Sequence, residues 1–459
     1  MMDLGSFRDP SGKVFISEGR IYRSILPPGV EDFNAARQTG IFERLIRDDL
    51  LIDYRETEIP VVAPKGTVYC LNHPRLPFIS YPWEWSFSML KDAALLHLEI
   101  MEKLLPEGFW LRDASAFNVQ FDGSRSRFID ILSIGKRIPE SPWVAYGQFC
   151  SHFLAPLSMA AHGDIRMMGL WRNTIDGFPL DLALAFLPLR KYFNPGFLMH
   201  LILHARFQKR ALKRENLGFV ASKNKPKVSD AGLIALMHSL KRTISNIAWK
   251  PSSGLWMDYE TFRIYDPEDV RNKSNFLIRV LQKINPEIVW DLGANTGEFS
   301  RLATMQGAYV VGIEQDPACA EQIYKDIRCN GFKERILPLT MDLANPSPSL
   351  GFNGEERLSL KDRGPADLIM ALALVHHLVL SSYIPLQRIS KWFFDIAKNL
   401  IVEFVPPEDP MVLKLLSNRS TGHLPYDFNT FREGIASYFE MKEELRLKNG
   451  RILIWCHRR

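Results

Sequence analysis

The residues that could do chemistry near position 290 are arranged around a turn that two glycines bracket. The run Val289–Leu292 is apolar except for Asp291, and the turn between Gly293 and Gly297 leads into a helix-like segment. Glycine has no Cβ, so the chain turns tightly there and a ligand approaches its backbone closely. A strand, a glycine turn and a helix in this order predict a binding site for a nucleoside-like ligand.

Two more carboxylates follow the next apolar runs. Glu314 ends the second run, about 20 residues after Asp291, which is where a ribose-binding carboxylate belongs in such a fold. Asp342 follows the third run. A carboxylate at the end of a strand accepts hydrogen bonds from both ribose hydroxyls. A nicotinamide dinucleotide fits less well, because its fingerprint G-x-G-x-x-G requires glycine where Asn295 stands.

Residues 285–459 resemble the class I S-adenosylmethionine-dependent methyltransferases. The matched features are the glycine turn after Asp291, the acidic residues Glu314 and Asp342, and a hairpin signal at the C-terminal end. The resemblance implies S-adenosylmethionine as the cofactor, with Glu314 on its ribose, Asp342 on its adenine amino group and the glycine turn beside its methionine part. Asn295 departs from the family, since many members have a small residue in that part of the turn. The implied cofactor-binding residues are Asp291, Gly293, Asn295, Gly297, Glu314 and Asp342.

Two adjacent histidines follow the fourth predicted strand, within Ala371–Leu378. In the methyltransferases that the chain resembles, this edge of the sheet faces the sulfonium methyl group and the acceptor. A neutral imidazole takes up a proton near neutral pH, so we expect His376 or His377 to act as a general base or to orient the acceptor. The alternative is that one histidine only caps the following helix. The segment lacks the Asn/Asp-Pro-Pro-aromatic signature of enzymes that methylate exocyclic amines of bases.

A second group of polar residues lies in the N-terminal part. Asp113 and Asn118 have the spacing D-x-x-x-x-N, and Asp130 ends a short apolar strand after them. This pattern resembles the catalytic loop and the metal-binding aspartate of protein-kinase-like and aminoglycoside-phosphotransferase-like folds. The resemblance implies that Asp113 is the base toward an acceptor hydroxyl, while Asn118 and Asp130 hold Mg²⁺.

Several sequence motifs that are usual in kinase-like folds are missing. The sequence has no glycine-rich phosphate loop and no Val-Ala-Ile-Lys strand, and Asp130 is followed by Ile131 rather than by Phe-Gly. In the alternative, Asp113 and Asn118 only satisfy backbone groups of a hairpin turn. Both interpretations, a degenerate kinase-like domain and an α+β domain of another kind, stay open.

The elements that would position these residues fall into two patterns. Short strand-like runs mix with helical segments early in the chain, most clearly at 86–105, which predicts an α+β domain over residues 1–230. Residues 231–284 are predicted as a helical connector. Over residues 285–459, apolar runs alternate with helical segments, which predicts a Rossmann-like, doubly wound α/β sheet. Asn449-Gly450 between two strand-like runs predicts an antiparallel hairpin at the end of that sheet.

Composition narrows the function classes. The chain has 459 residues, of which 46% are hydrophobic and 24% charged, as expected for a folded protein of two or three domains. Its net charge of +5 is too mild for a nucleic-acid-binding signature. Five scattered cysteines without a CxxC pair favour a reduced, cytoplasmic compartment, with neither zinc nor disulfides. We expect no signal peptide and no transmembrane segment, because no apolar run is long enough.

The whole chain resembles the bacterial family that includes the rhizobial host-specificity nodulation methyltransferases. The resemblance implies a two-domain enzyme that uses S-adenosylmethionine and acts on a small molecule or a glycolipid precursor. The alternatives are a catalytically inactive scaffold with a methyltransferase fold, and an RNA methyltransferase, against which the mild charge counts. The sequence specifies neither the acceptor nor the oligomeric state. The stretches that carry the resemblance are Leu111–Asn118, Phe128–Ser133, Asp291–Gly297 and Leu374–Leu378.

Overall fold

The computed structural model describes residues 4–207, 209, 227–251, 266–330, 335–416 and 425–459. The chain divides into two compact units. The first unit consists of residues 1–121, 126–250 and 351–357, and the second consists of residues 122–125, 251–350 and 358–459.

The first unit begins with a four-stranded antiparallel sheet. Glu18 and Gly19 take positive φ angles of 50° and 75° between its first two strands, as a two-residue turn in a twisted hairpin requires. Phe15 and Tyr22 stack across this hairpin with 5.3 Å between their ring centroids, and they pack with Cys70 in a small core. The strands are β1 (Gly12–Ser17), β2 (Arg20–Ile25), β3 (Arg55–Thr57) and β4 (Tyr69–His73), in the spatial order β1-β2-β4-β3.

A long amphipathic helix supplies much of the core of this unit. Leu90, Ala94, Leu98 and Met101 are fully buried at helical spacing, which confirms the helix that the sequence predicts near 86–105. Ser86 accepts a hydrogen bond from the Met89 backbone N–H in its first turn, the usual role of a residue that caps a helix. The first three helices of the unit are α1 (Pro27–Gln38), α2 (Ile41–Arg47) and α3 (Phe87–Leu104).

The remainder of this part of the chain holds short elements. Strand β5 (Phe109–Leu111) pairs with β8 (Ile134–Lys136), and β6 (Val119–Asp122) pairs with β7 (Arg125–Phe128). Residues 146–207 are mostly helical. They form α4 (Tyr146–Phe149), α5 (Ala155–His162), α6 (Leu180–Phe186) and α7 (Pro195–Phe197), with π-helical turns at Cys150–Leu154 and Leu198–Leu203 and 3-10 turns at Ile165–Asn173 and Leu189–Phe193.

The predicted connector, residues 231–284, is divided between the two units. Helix α8 (Asp230–Asn246) belongs to the first, where Lys241 Nζ lies 2.6 Å from Glu102 Oε2 of α3. Helix α9 (Pro267–Ile284) belongs to the second, and residues 252–265 lie outside the described residues. Both helices bury an apolar stripe, so each is part of the core of its own unit.

The second unit is built on a seven-stranded sheet. Its first five strands are parallel, and its last two form an antiparallel hairpin. The predicted α/β class and the predicted hairpin are therefore confirmed, and the parallel strands follow the order 3-2-1-4-5 of doubly wound nucleotide-binding folds. The strands are β9 (Ile288–Leu292), β10 (Tyr309–Glu314), β11 (Ile336–Thr340), β12 (Ala366–Ala371), β13 (Ala397–Phe404), β14 (Phe439–Arg446) and β15 (Ile452–Arg458), in the spatial order β11-β10-β9-β12-β13-β15-β14. The helices after α9 are α10 (Glu298–Met305), α11 (Pro317–Asn330), α12 (Leu386–Ile396), α13 (Pro410–Leu416) and α14 (Phe428–Ala436).

Candidate cofactor and acceptor site

A cavity of about 330 Å³ opens at the carboxyl ends of the parallel strands of the second unit. The segments that follow β9, β10, β11 and β12 form most of its wall, because parallel strands all end at the same edge of a sheet. Of the predicted site residues in this unit, the wall includes Asp291, Gly293, Asn295, Glu314, Asp342 and His377. Gly297 and His376 are not part of it.

The glycine turn takes a backbone conformation that explains its residue types. Gly293, Asn295 and Gly297 all have positive φ, at 81°, 49° and 80°. Asparagine tolerates this left-handed region better than most residues do, so Asn295 fits the turn although a dinucleotide fingerprint would have glycine there. At Gly297 a Cβ would lie 3.1 Å from Ile323 Cγ1, so close packing against α11 also favours glycine.

Glu314 ties the glycine turn to the end of β10. Its Oε2 accepts a hydrogen bond of 2.8 Å from the Asn295 backbone N–H, and its Oε1 accepts one of 2.9 Å from that of Asp316. Burial raises the pKa of this carboxyl, and the backbone donors oppose the shift. Each carboxylate oxygen has a second lone pair, so the bonded group still has acceptor capacity toward the cavity.

Two further acidic residues lie in the wall. Asp291, in β9, is 2% exposed and accepts a hydrogen bond of 2.6 Å from Ser300 Oγ. Burial, reinforced by the charge of Glu314, raises the pKa of Asp291 to about 6. Asp342 follows β11, and its Oδ1 accepts from the Ala344 backbone N–H at 2.8 Å.

The two predicted histidines differ in their surroundings. His377 begins the π-helical turn His377–Ser381 and lines the cavity. Burial and the nearby Arg451 lower the pKa of His377 to about 4, so its imidazole is neutral at neutral pH. His376 is buried behind it, with 4.1 Å between the ring centroids, and neither of its ring nitrogens has a hydrogen-bond partner among the described residues.

Lys273 of α9 is a wall residue that the sequence analysis did not identify. Its Nζ lies 2.7 Å from Glu403 Oε2 and 4.6 Å from the centre of the Phe299 ring. The buried stripe of α9 includes Lys273, Phe276, Leu277 and Val280. The sequence signal for this residue is a lysine inside the apolar stripe of a helix. A lysine is rarely buried without an acidic partner, so its position predicts an ion pair in the interior.

The N-terminal residues Asp113, Asn118 and Asp130 contact other protein groups. Asp130 Oδ1 accepts a hydrogen bond of 2.6 Å from Arg23 of β2, and its other oxygen accepts from Ser133 Oγ. Asn118 Nδ2 donates to Ser133 Oγ at 3.4 Å, and Asp113 accepts from the Ser115 backbone N–H at 2.8 Å. In the described part of the chain, no three His, Cys, Asp or Glu residues are grouped to hold a metal. The Mg²⁺ site stays a prediction.

The raised pKa of Asp291 predicts a pH-dependent stability that Asp291→Asn removes. The folded protein binds this proton up to about pH 6, whereas an aspartate in an unfolded chain loses it near about pH 3.9. Between these values, ionisation therefore favours the unfolded state, and the free energy of unfolding falls as the pH rises. Relative to Asp291→Asn, the free energy of unfolding of wild type should fall by up to about 3 kcal/mol between about pH 4 and pH 7. Urea denaturation at a series of pH values measures this change. If the free energies of unfolding of wild type and Asp291→Asn differed by the same amount at every pH in this range, the raised pKa of Asp291 would be contradicted.

No protein-family model matches the chain. Solved structures with a similar part include magnesium protoporphyrin IX methyltransferase ChlM from Synechocystis PCC 6803 with bound SAH, which is 17% identical, with a TM-score of 0.31 over 42% of this chain and 84% of that one. The N-methyltransferase NodS from Bradyrhizobium japonicum WM9 is 10% identical, with a TM-score of 0.31 over 42% of this chain and 98% of that one. The bifunctional kinase-methyltransferase WbdD is 17% identical, with a TM-score of 0.31 over 45% of this chain and 42% of that one.

A curated relative matches almost the whole chain. Nodulation protein NoeA of Rhizobium meliloti (strain 1021) is 33% identical over 437 residues, which cover 94% of this chain and 90% of the relative. The alignment therefore spans both compact units, and the nodulation family that the sequence motifs indicate is confirmed. The chain belongs to the family of nodulation protein NoeA.

Proposed function

We propose that the protein is an S-adenosylmethionine-dependent methyltransferase whose second unit binds the cofactor at the carboxyl edge of the sheet. The observation that carries this proposal is the shared cavity wall formed by the glycine turn, Asp291, Glu314 and Asp342. In the proposed complex, Glu314 accepts from the ribose hydroxyls and Asp342 accepts from the adenine amino group. The turn at Gly293 lies beside the methionine part.

The charge of the cavity supports a cationic ligand. Asp291, Glu298, Glu314 and Asp342 line it, and Lys273, the basic ammonium in its wall, is paired with Glu403. A surplus of carboxylates at short range favours a bound positive charge. When bound, S-adenosylmethionine supplies such a charge together with an activated methyl group.

We place the acceptor on the His377 side of the cavity. Methyl transfer depends chiefly on holding the acceptor in line with the methyl group. His377, which is neutral because burial lowers its pKa to about 4, takes the acceptor proton as the new bond forms. Leu374 and Leu378 flank this position in the wall, which suits an acceptor with an apolar part. We propose a small molecule or a glycolipid precursor as that acceptor.

In the first unit, we propose a kinase-like lobe in which Asp130 has a structural role. The arrangement of Asp113, Asn118 and Asp130 after α3 supports the lobe. The ion pair of Asp130 with Arg23, in which both side chains are mostly buried, supports the structural role. Both oxygens of Asp130 are bonded to protein groups, which compete with a metal ion for the same lone pairs.

Removing the Glu314 carboxylate should weaken cofactor binding. Charge-assisted hydrogen bonds to two ribose hydroxyls contribute about 1.5–3 kcal/mol each, so we expect the Kd for S-adenosylmethionine to rise at least about tenfold in Glu314→Gln. Isothermal titration calorimetry measures the change. Glu287→Gln is the matched control, because Glu287 is exposed just before β9, at the opposite edge of the sheet. Absence of S-adenosylmethionine binding by wild type would overturn the proposed function.

Truncating His377 should slow methyl transfer and leave cofactor binding intact. Loss of a general base costs about 10²-fold or more in kcat, which we expect for His377→Ala, with the exposed His238→Ala as control. The measurement is formation of S-adenosylhomocysteine, with an extract of bacterial small molecules and glycolipid precursors as the acceptor source. Full turnover by both His376→Ala and His377→Ala would eliminate the histidine hypothesis. Cofactor binding without any turnover would favour the scaffold alternative.

A structural Asp130 predicts no Mg²⁺-dependent nucleotide binding. We expect wild type to bind ATP no better with Mg²⁺ than without it, as measured by calorimetry. Asp130→Asn should lower the free energy of unfolding by about 1–3 kcal/mol, because the Arg23 charge loses the closer of its two acidic partners. ATP binding that requires Mg²⁺ and is lost in Asp130→Asn would instead support the metal site.

A further inference from the structure

Exposed apolar side chains concentrate in one segment of the first unit. Of the 24 large apolar side chains that are exposed among the described residues, nine lie between residues 170 and 207. Scattered single exposures are ordinary on a protein surface, whereas several exposed apolar side chains within one segment indicate an interaction site. The nine are Leu170, Leu182, Phe186, Leu189, Phe193, Leu198, Met199, Leu203 and Phe207.

Two of the helical pieces in this segment carry these side chains as stripes. On α6, Leu182 and Phe186 are exposed four residues apart, while Leu180 and Ala183 are buried. Residues four apart lie on the same helix face. Helix α6 therefore has an apolar face toward solvent as well as an apolar face toward the core.

The helical stretch after α7 repeats this arrangement. Met199, Leu203 and Phe207 are exposed on successive turns, at 53%, 38% and 61%. Leu201 and Ile202 on the other side are almost fully buried. The stretch is thus already anchored in the first unit by its buried side, and the exposed stripe is available for a second apolar contact.

The turn between these pieces is the most exposed part. Leu189 and Phe193 are 80% and 86% exposed at the two ends of the 3-10 turn Leu189–Phe193, and Arg190 and Lys191 lie between them. Apolar side chains that alternate with basic ones suit a surface that is apolar inside and negatively charged outside.

After Asp181, the charge of the segment has one sign. From Leu182 to Lys209 the sequence holds Arg190, Lys191, Arg206 and Lys209 and no Asp or Glu. Lys191 also lines a cavity of about 350 Å³ in the same unit, together with His162 and Arg242 and without any carboxylate in its wall. A cavity with this lining suits a phosphate group.

We propose that residues 182–207 dock the first unit onto the surface of a membrane that contains anionic lipids. The exposed apolar side chains enter the boundary between headgroups and acyl chains, and the cavity beside Lys191 receives a lipid phosphate. Attachment is interfacial, since none of the helices that the structure describes combines the length and apolarity needed to span a bilayer. The proposal is independent of methyl transfer, and its test uses no methyl donor.

Vesicle flotation of the full chain tests the docking surface. We expect wild type to float with vesicles of phosphatidylcholine and phosphatidylglycerol, to float far less with phosphatidylcholine alone, and to lose binding as salt rises. Leu189→Ser/Phe193→Ser should weaken binding to the mixed vesicles at least about tenfold. Arg190→Gln/Lys191→Gln should weaken the preference for the anionic lipid, to which Arg206 and Lys209 still contribute.

The control is Val61→Ser/Val62→Ser, which removes two apolar side chains elsewhere in the first unit that are 104% and 58% exposed, and it should bind as wild type does. Circular dichroism should be the same for all variants, because the substituted side chains are exposed or, at Lys191, partly exposed. Failure of wild type to bind anionic vesicles overturns the proposal, as does equal binding by wild type and Leu189→Ser/Phe193→Ser. An oligomer of wild type that this double variant converts to a monomer also overturns it, by assigning the surface to a second copy of the chain.

Discussion

The candidate site depends on the parallel pairing of β9 with β10 on one side and β12 on the other. Because these strands run in the same direction, the polar segments that follow them all lie at one edge of the sheet. The carboxylate of Glu314 then locks two of these segments together, since it accepts from the backbone N–H groups of Asn295 and Asp316. Without the parallel pairing of the strands, Asp291, Glu314 and Asp342 would be unrelated acidic residues in three separate parts of the chain.

Burial gives these carboxylates their chemical character. A charge in a protein interior is costly unless it is paired, and the second unit contains such pairs in Lys273 with Glu403 and Arg451 with Asp409. Asp291 accepts a hydrogen bond from the Ser300 hydroxyl, and burial nevertheless raises its pKa. The cavity wall thus holds acidic groups together with a lysine whose charge Glu403 neutralises, and this electrostatic setting favours a cationic cofactor.

Asp113, Asn118 and Asp130 of the first unit have kinase-like spacing, and both oxygens of Asp130 are bonded to Arg23 and Ser133. We therefore propose a structural role for Asp130. The same unit exposes eight large apolar side chains between Leu182 and Phe207. Its surface, rather than its phosphotransfer-like loop, is where we expect its contribution to function.

Local patterns in the sequence were enough to predict the α/β class, the C-terminal hairpin and the glycine turn. Hydrophobic periodicity and turn residues depend only on neighbours along the chain. They also indicated Glu314 and Asp342, since the end of a parallel strand can be recognised from its apolar run. Lys273 was missed because it reaches the cavity from a helix that precedes the sheet, and its pairing with Glu403 joins residues far apart in sequence. The difference between His376 and His377 likewise followed from tertiary packing: adjacent residues have the same sequence signal, and the fold buries one ring behind the other.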